Sequence, residues 1–264
     1  MTLADITSEA PKLPNKIVIY GEPGIGKTEL GASFPRPVFL MTRGEKGLVT
    51  LQNSGRIKPT QHFPQEAILW TDVLEAVEAL QGEHEHRTFV LDTANGAERL
   101  CHEHVCSRDY NGDWGERGFV SYQRGYETAV NDWRNLLNQL DKLQARGMTV
   151  LLLAHCGVRP MRNPLGPDYD AFLPALHKST WNVTVGWADM VLFAKQDITV
   201  EAEKGKRAKA KSSSRILLTV GTAAYEAKNR HGLPEEVGMG ESGLEAFQNL
   251  CAAMKLGAQE KGGA

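Results

Sequence analysis

The chain has 264 residues, of which 41% are hydrophobic and 23% charged, so it is long enough and apolar enough for one substantial globular core. A formal net charge of -2 excludes bulk attraction to nucleic acid or anionic membranes, and any such binding has to depend on local patches. No apolar run reaches membrane-spanning length and no secretory signal is visible, so we expect a soluble, cytoplasmic protein without a membrane partner. The four cysteines form no CxxC pair, which suits a reducing compartment.

Six apolar runs predict strands, and most lack the polar alternation of a half-exposed strand; they lie at 16–20, 37–41, 88–92, 148–155, 189–194 and 215–220. Between them, spacings of three and four predict a helix capped by Thr71 and ended by Gly82, and a longer helix over 126–143. Strands that alternate with helices predict an α/β fold, with a mostly parallel central sheet and helices on both faces.

Three segments interrupt this alternation. Residues 107–118 and 156–180 are expected to be long connections, which are usually functional or disordered. Residues 204–215 carry six basic side chains and no acidic one, and we expect them to form a mobile hairpin tip.

The strongest motif follows the first strand. Gly21, Gly26, Lys27 and Thr28 complete the pattern G-x-x-x-x-G-K-[ST] between a predicted strand and a predicted helix. Glycines let the backbone curl so that N–H groups surround phosphates, while Lys27 reaches the β and γ phosphates and Thr28 ligates magnesium. The motif predicts ATP with Mg²⁺, held by Gly21, Glu22, Pro23, Gly24, Ile25, Gly26, Lys27, Thr28 and Glu29.

A magnesium site at the phosphates also needs a carboxylate. Asp92 ends the buried run 88–92, which makes it the best candidate beside Thr28, although a helix N-cap is an alternative role for it.

ATP hydrolysis needs a group that orients or deprotonates water, and the residue after Asp92 is Thr93 rather than Glu. Glu45 follows the strand at 37–41 and could supply this carboxylate, or it could be a surface side chain. His155 ends another strand and could sense the γ-phosphate, or it could be a capping or core histidine.

The stretch 101–106, CHEHVC, places His102 and Cys106 on one helix face, as in some metal sites. We favour a helix with half-buried cysteines and exposed histidines, because no second ligand pair at zinc spacing is present.

Together, the stretches GEPGIGKT, VLDT, LLLAH, NPLGPDYDAFLPALHKST, WADMVLFA and AKNRHGLPEE resemble the RecA-like ATPases of bacteriophages. That family carries an AAA-type ATP-binding domain and includes single-strand annealing recombinases. The resemblance covers residues 16 to about 238 and implies a RecA-like P-loop NTPase with a C-terminal β extension. We accordingly expect a loosely ordered N-terminus over 1–15, the RecA-like ATPase domain over 16–256 and a flexible tail over 257–264.

The resemblance implies roles for four further residues. Glu45 is similar in position to the catalytic Glu of RecA-like proteins, and His155 to their γ-phosphate sensor. Lys228 and Arg230 resemble a Lys-x-Arg pair that reaches the nucleotide of a neighbouring subunit, which implies a homo-oligomeric ring or filament.

Single-stranded DNA is the expected partner, in the cytoplasm of a bacterial host, and a single-strand-binding protein is a candidate second partner. Aromatic and basic residues interleave in 107–118, and more basic residues follow in 156–180, a mixture that suits base stacking with phosphate contact. The predicted DNA-binding residues are Arg108, Tyr110, Trp114, Arg117, Arg159, Arg162 and Lys178.

Other readings are weaker. A GTPase would need an amide where Ala194 stands, and a small-molecule kinase would need an arginine-rich lid without the acidic side chains of Asp168 and Asp170. A nucleotide-dependent switch or loader with little turnover stays open, because no acid follows Asp92.

Overall fold

The computed structural model describes residues 13–201 and 209–262. Its strands are β1 (Lys16–Gly21), β2 (Pro37–Met41), β3 (Gln61–His62), β4 (Thr88–Asp92), β5 (Thr149–Met161), β6 (Tyr169–Pro174), β7 (Met190–Glu201), β8 (Lys209–Leu218), β9 (Lys228–Asn229) and β10 (Glu236–Gly238). Its α-helices are α1 (Lys27–Ala32), α2 (Gly47–Asn53), α3 (Trp70–Ala79), α4 (Ala94–Tyr110), α5 (Arg124–Ala145), α6 (Lys178–Trp187) and α7 (Gly243–Gly262).

The strands form one sheet in the order β10-β8-β7-β1-β5-β4-β2-β3, with β6 attached to β5 and β9 to β7. From β7 to β3 every neighbouring pair is parallel, whereas β8 and β10 join at one side in antiparallel pairs. The predicted α/β class with a mostly parallel sheet and a C-terminal β extension is therefore confirmed.

The sheet separates two apolar layers, because successive side chains of a strand point to opposite faces. In β1, Ile17 and Ile19 pack with residues of α1 and α7, while Val18 and Tyr20 pack with residues of α3, α4, α5 and α6. Helices cover both faces, which explains why the central strands are continuous apolar runs.

The carboxyl ends of the parallel strands lie in register at one edge of the sheet. Gly21 pairs with His155 across β1 and β5, and Met41 pairs with Asp92 across β2 and β4. Loops that leave these ends converge, as is usual for ligand sites of open α/β sheets.

The start of α3 differs from the sequence prediction. Leu69 rather than Thr71 is the N-cap, and the carboxylate of Asp72 accepts hydrogen bonds from the backbone N–H groups of Ile68 and Leu69 at 2.9 and 2.8 Å. A carboxylate at the third helical position binds these free N–H groups, so the helix begins one residue before the threonine.

Two of the expected long connections contain regular structure. Residues 107–110 belong to α4, which ends at Asn111 with a left-handed φ of 52°. Most of 156–180 is a hairpin in which Val158 pairs with Phe172 and Met161 with Tyr169. Pairing with a neighbouring strand satisfies the backbone polar groups that an irregular loop would leave to water.

The prediction for the basic segment 204–215 also needs correction. Residues 209–215 belong to β8, which pairs with β7, so they are strand rather than hairpin tip; residues 204–208 of the predicted tip lie outside the described residues. The backbone of α7 continues to Gly262, and the flexible tail expected from residue 257 stays a prediction.

Candidate nucleotide-binding site

The phosphate loop connects β1 to α1 at the carboxyl edge of the sheet. A Cβ on Gly21 would lie 2.2 Å from the carbonyl oxygen of Ala194, so only glycine allows β1 to pass this close to β7. Gly26 has a φ of 109°, and a Cβ there would lie 2.7 Å from the guanidinium of Arg215. The two motif glycines are therefore required by backbone packing and by backbone conformation, respectively.

Lys27 is buried beneath this loop. Its Nζ donates to the carbonyl oxygens of Gly21 and Glu22, both at 2.9 Å. Burial lowers the pKa of the ammonium group, and the nearby carboxylate of Asp92 opposes that shift. The ammonium is thus held at the loop by bonds that it can exchange for phosphate oxygens.

Thr28 and Asp92 form the pair predicted to hold magnesium. The Thr28 hydroxyl donates to Oδ2 of Asp92 at 2.9 Å. Asp92 is 3% exposed, and burial raises the pKa of its carboxyl to about 6. A divalent cation prefers oxygen ligands and would favour the ionised carboxylate, so the residues present fit a magnesium ion.

The helix N-cap that was the alternative role for Asp92 is instead Thr93. The Thr93 side chain accepts a hydrogen bond from the N–H of Gly96 at 3.2 Å. Asp92 therefore keeps its carboxylate for the pocket.

Glu45 and His155 meet at the same place. Oε1 of Glu45 lies 3.3 Å from His155 Nε2 and 3.3 Å from the Thr93 hydroxyl. The hydrogen bond with His155 holds the pKa of Glu45 below its usual range. The structure brings to this edge a carboxylate that stays ionised, which is the state that a general base requires.

His155 is also tied to the segment beyond it. Its backbone N–H donates to Oδ1 of Asn95 at 2.7 Å, and Nδ2 of Asn95 donates to the carbonyl oxygen of Ala175 at 2.6 Å. One side chain of α4 thereby links the end of the nucleotide pocket to the hairpin of β5 and β6.

The pocket around these groups has a volume of about 370 Å³, a common size for ligand sites. It is lined by Pro23, Gly24, Gly26, Lys27, Thr28, Glu29, Glu45, Gly47, Thr50, Leu51, Arg56, Asp92, Thr93, His155 and Arg215.

Two arginines of this lining were missed by the sequence analysis. Arg56 lies 3.1 Å and Arg215 3.9 Å from Oε2 of the buried Glu29. Arg215 also donates to the carbonyl oxygens of Gly240 at 2.8 Å and of Ile25 at 3.4 Å. Arg215 had been counted in the basic hairpin tip, and only the register of β8 brings it to the phosphate loop.

Lys228 and Arg230 lie at the other end of the sheet. β9 pairs with Met190 and Val191, at the beginning of β7, whereas the phosphate loop follows the carboxyl end of β1. Nζ of Lys228 donates to the carbonyl oxygens of Val185 and Ala188 at 2.7 and 2.8 Å. Neither residue can reach its own subunit's nucleotide, so a role in catalysis requires a second subunit.

Arg230 is held near the same position. Its Nη1 donates to Asp189 at 2.9 Å, and its side chain is 55% exposed.

The predicted DNA-binding residues do not form one group. Arg108 makes ion pairs with Asp109 and Asp132, both at 2.8 Å, near the end of α4. The Tyr110 ring packs against Phe119 at 5.6 Å. Both residues lie in the last turn of α4, which takes the place of only the first four residues of the expected connection.

Arg159 is likewise occupied, because it donates to the carbonyl oxygens of Pro174 and Leu176 and so closes its hairpin. Trp114, Arg117, Arg162 and Lys178 are exposed, as is Arg108, whose guanidinium is held in its two ion pairs.

The stretch 101–106 shows no metal site: among the described residues, no group of three or more His, Cys, Asp or Glu side chains could hold a metal ion. Cys101 and Cys106 are buried in α4. His102 is 8% exposed, so the expectation of an exposed histidine is wrong here. The residue faces the aromatic side chains of Phe119 and Tyr126 rather than solvent.

The sheet order and the loop at the end of β1 define a P-loop, nucleotide-binding protein of the α/β class. A family model described as an AAA domain matches residues 13–231, and the chain belongs to this family. A search of curated proteins found no match. None of the helices in the described part of the chain is long and apolar enough to cross a membrane.

Proposed function

We propose that this protein is a magnesium-dependent ATPase that binds single-stranded DNA and acts in phage-type recombination or strand annealing. The phosphate loop and the AAA domain support nucleotide binding. Beyond nucleotide binding, we propose that the protein hydrolyses ATP, acts on single-stranded DNA and forms an oligomer.

The convergence of Glu45 and His155 on the pocket of Lys27, Thr28 and Asp92 is the single observation that carries the ATPase proposal. A binding module needs only the phosphate loop. A carboxylate whose pKa is held low by an imidazole, at the edge where the γ-phosphate would lie, is the arrangement expected for activating water.

Each of the five pocket residues has a distinct role in the proposed reaction. Lys27 and the loop N–H groups would bind the phosphates, and Thr28 and Asp92 would hold Mg²⁺, whose charge would stabilise negative charge on the phosphate oxygens. Glu45 orients the attacking water and accepts its proton, while His155 fixes the Glu45 carboxylate and responds to the nucleotide state.

Support for DNA binding comes from the resemblance to phage RecA-like ATPases and from four exposed residues. Trp114 offers an aromatic face that is 44% exposed, and Arg117, Arg162 and Lys178 offer exposed cations. Single-strand binding uses this combination of stacking and phosphate contact. Oligomer formation as a ring or filament rests on Arg230, which would complete a neighbour's site.

The alternative is a nucleotide-dependent switch or loader with little intrinsic turnover. The specific observation in its favour is that Thr93, not an acid, follows Asp92. In such a protein Glu45 and His155 would report the nucleotide state without hydrolysing ATP.

ATP turnover, measured with and without single-stranded DNA, tests the proposal. Wild type should hydrolyse ATP in the presence of magnesium, and single-stranded DNA should raise the rate of hydrolysis. Lys27→Ala should show neither the hydrolysis nor the stimulation. Lys58→Ala removes an exposed lysine outside the pocket and is the matched control. Equal turnover by wild type and Lys27→Ala contradicts the ATPase, and nucleotide binding without turnover in any condition favours the switch.

A further inference from the structure

A second cleft, of about 470 Å³, lies along α4 and is lined by a different set of residues from the nucleotide pocket. Its lining combines two aromatic rings, Trp114 and Tyr126, with the polar side chains of Asn95, Glu98 and His102.

The aromatic rings are held in fixed orientations. Tyr126 stacks on His177 with ring centroids 4.1 Å apart and an interplanar angle of 8°. Trp114 packs against Phe119 at 4.7 Å, yet it remains 44% exposed. The cleft therefore offers flat apolar surface without the entropic cost of ordering free side chains.

Two polar side chains of the lining, Glu98 and His102, are buried. Glu98 is 7% exposed, and its two oxygens accept the backbone N–H of His177 at 2.8 and 3.1 Å. His102 is 8% exposed, and its Nε2 has no hydrogen-bond partner among the residues that the structure describes. A buried polar atom without a partner is unfavourable, and because this atom is closed off from solvent, a ligand could pair with it only if the His102 ring turned.

Charged side chains of both signs line the cleft, namely Arg99 together with Glu98 and Glu103. Arg99 lines it with a side chain that is 77% exposed, and Lys178 follows His177 directly. The carboxylate of Glu103, which also lines the cleft, is already bound by Arg43 and Arg99 at 2.6 and 3.0 Å. Cations beside aromatic rings suit a ligand that joins a flat heterocycle to a phosphate.

We propose that this cleft takes one unstacked nucleobase of a bound single DNA strand, against the rings of Trp114 and Tyr126 and with its polar edge toward Glu98 and His102. The proposal rests on the DNA-binding part of the proposed function. Asn95 lines the cleft and also binds the backbone N–H of His155, so the base would lie one side chain from the nucleotide pocket.

Oligonucleotide affinity at fixed salt, measured with intact and abasic 15-mers, tests the base contact. Wild type should bind the intact strand about tenfold more tightly than the abasic one, since each base stacked on an aromatic ring contributes appreciably. Tyr126→Leu should bind the intact strand about tenfold more weakly than wild type does. Its affinity for the abasic strand should be close to that of wild type. Tyr126→Phe, which keeps the ring, should bind as wild type does.

A second variant, Trp114→Ala, covers the case in which Tyr126→Leu does not fold, as judged by its melting temperature. If both variants bind the intact strand with wild-type affinity, the cleft proposal is overturned while DNA binding stands. If wild type binds ATP but no oligonucleotide, the DNA part of the proposed function fails as well. If dAMP or dCMP alone binds through Tyr126 and strands do not depend on it, the cleft binds a free nucleotide and the DNA assignment is wrong.

Discussion

The carboxylate of Glu45 and the imidazole of His155 are hydrogen-bonded at the carboxyl edge of the sheet, with 3.3 Å between Oε1 and Nε2 and 110 positions between them in the chain. Glu45 follows β2 and His155 lies within β5, with β4 between those strands. The contact joins the residue proposed to activate water to the residue proposed to sense phosphate.

Glu45→Gln should abolish most ATP turnover and leave ATP binding nearly unchanged. The amide keeps the shape and the contact with His155 but cannot accept a proton, and a positioned general base typically contributes about 10²- to 10⁴-fold. Single-turnover hydrolysis and nucleotide titration separate the two effects. Glu78→Gln, an exposed change in α3, is the charge-matched control, and equal turnover by both variants would contradict the role of Glu45.

His155→Ala should move the acidic limb of the turnover–pH profile upward. The hydrogen bond from His155 is the largest cause of the lowered pKa of Glu45, so its loss raises the pH at which that carboxyl becomes ionised. Turnover measured at saturating ATP from about pH 4 upward, a range that includes the ordinary carboxyl pKa of 4.5, checks the direction of the shift. A limb that stays in place would show that Glu45 does not control the profile.

Asp92→Asn should stabilise the nucleotide-free protein at neutral pH while it abolishes magnesium-dependent ATP binding. The carboxyl pKa is about 6 in the fold, above its ordinary value of 3.8. Below pH 4 the carboxyl is protonated in both the folded and the unfolded protein, and the raised pKa costs no stability. As the pH rises through 6, the free energy of unfolding falls by about 3 kcal/mol in total.

Urea unfolding of wild type and Asp92→Asn at pH 5 and pH 8, without nucleotide or magnesium, measures this effect. The stability gap in favour of Asn should widen toward pH 8. A gap that is the same at both pH values would mean that Asp92 does not titrate in this window.

Arg215→Ala should weaken nucleotide binding by at least about tenfold, because the guanidinium touches the phosphate loop at Ile25 and contacts to charged groups contribute about 1.5–3 kcal/mol. Arg56→Ala is the matched control: it also pairs with Glu29, but its side chain is 55% exposed, so the effect should be smaller. Calorimetric titration with ATP compares them, and equal losses would argue against a special role for Arg215.

Lys228→Met should lower the free energy of unfolding by about 2 kcal/mol, because its ammonium group holds two carbonyl oxygens at the end of α6. Arg230→Ala should lower the free energy of unfolding much less, since the ion pair of Arg230 with Asp189 is exposed.

For the proposed role across subunits, a mixture of Arg230→Ala and Lys27→Ala proteins should recover some ATP turnover. No recovery at any ratio would contradict shared sites.

Much of the fold was predictable because strands that are buried on both faces of the sheet have continuous apolar sequences. The runs at 37–41 and 88–92 coincide with β2 and β4. The longer elements were underestimated where exposed residues continue a strand or helix. β5 extends beyond His155 to Met161, since pairing with β6 satisfies its backbone there, and no apolar pattern marks that extension.

The sequence by itself determined the candidate phosphate site, because its residues are consecutive and their conformations are local: Gly26 turns the chain, and Lys27 and Thr28 follow at once. It also supplied Asp92, since the end of a buried strand is visible as the end of an apolar run.

Only the tertiary structure decided which distant side chains join that site. Arg215 enters the pocket because β8 pairs with β7 in one register, whereas Lys228 and Arg230 are kept away because β9 pairs at the other end of β7. Strand pairing depends on long-range contacts between segments, and a one-residue change of register moves a side chain to the opposite face. No local pattern of residues carries that information.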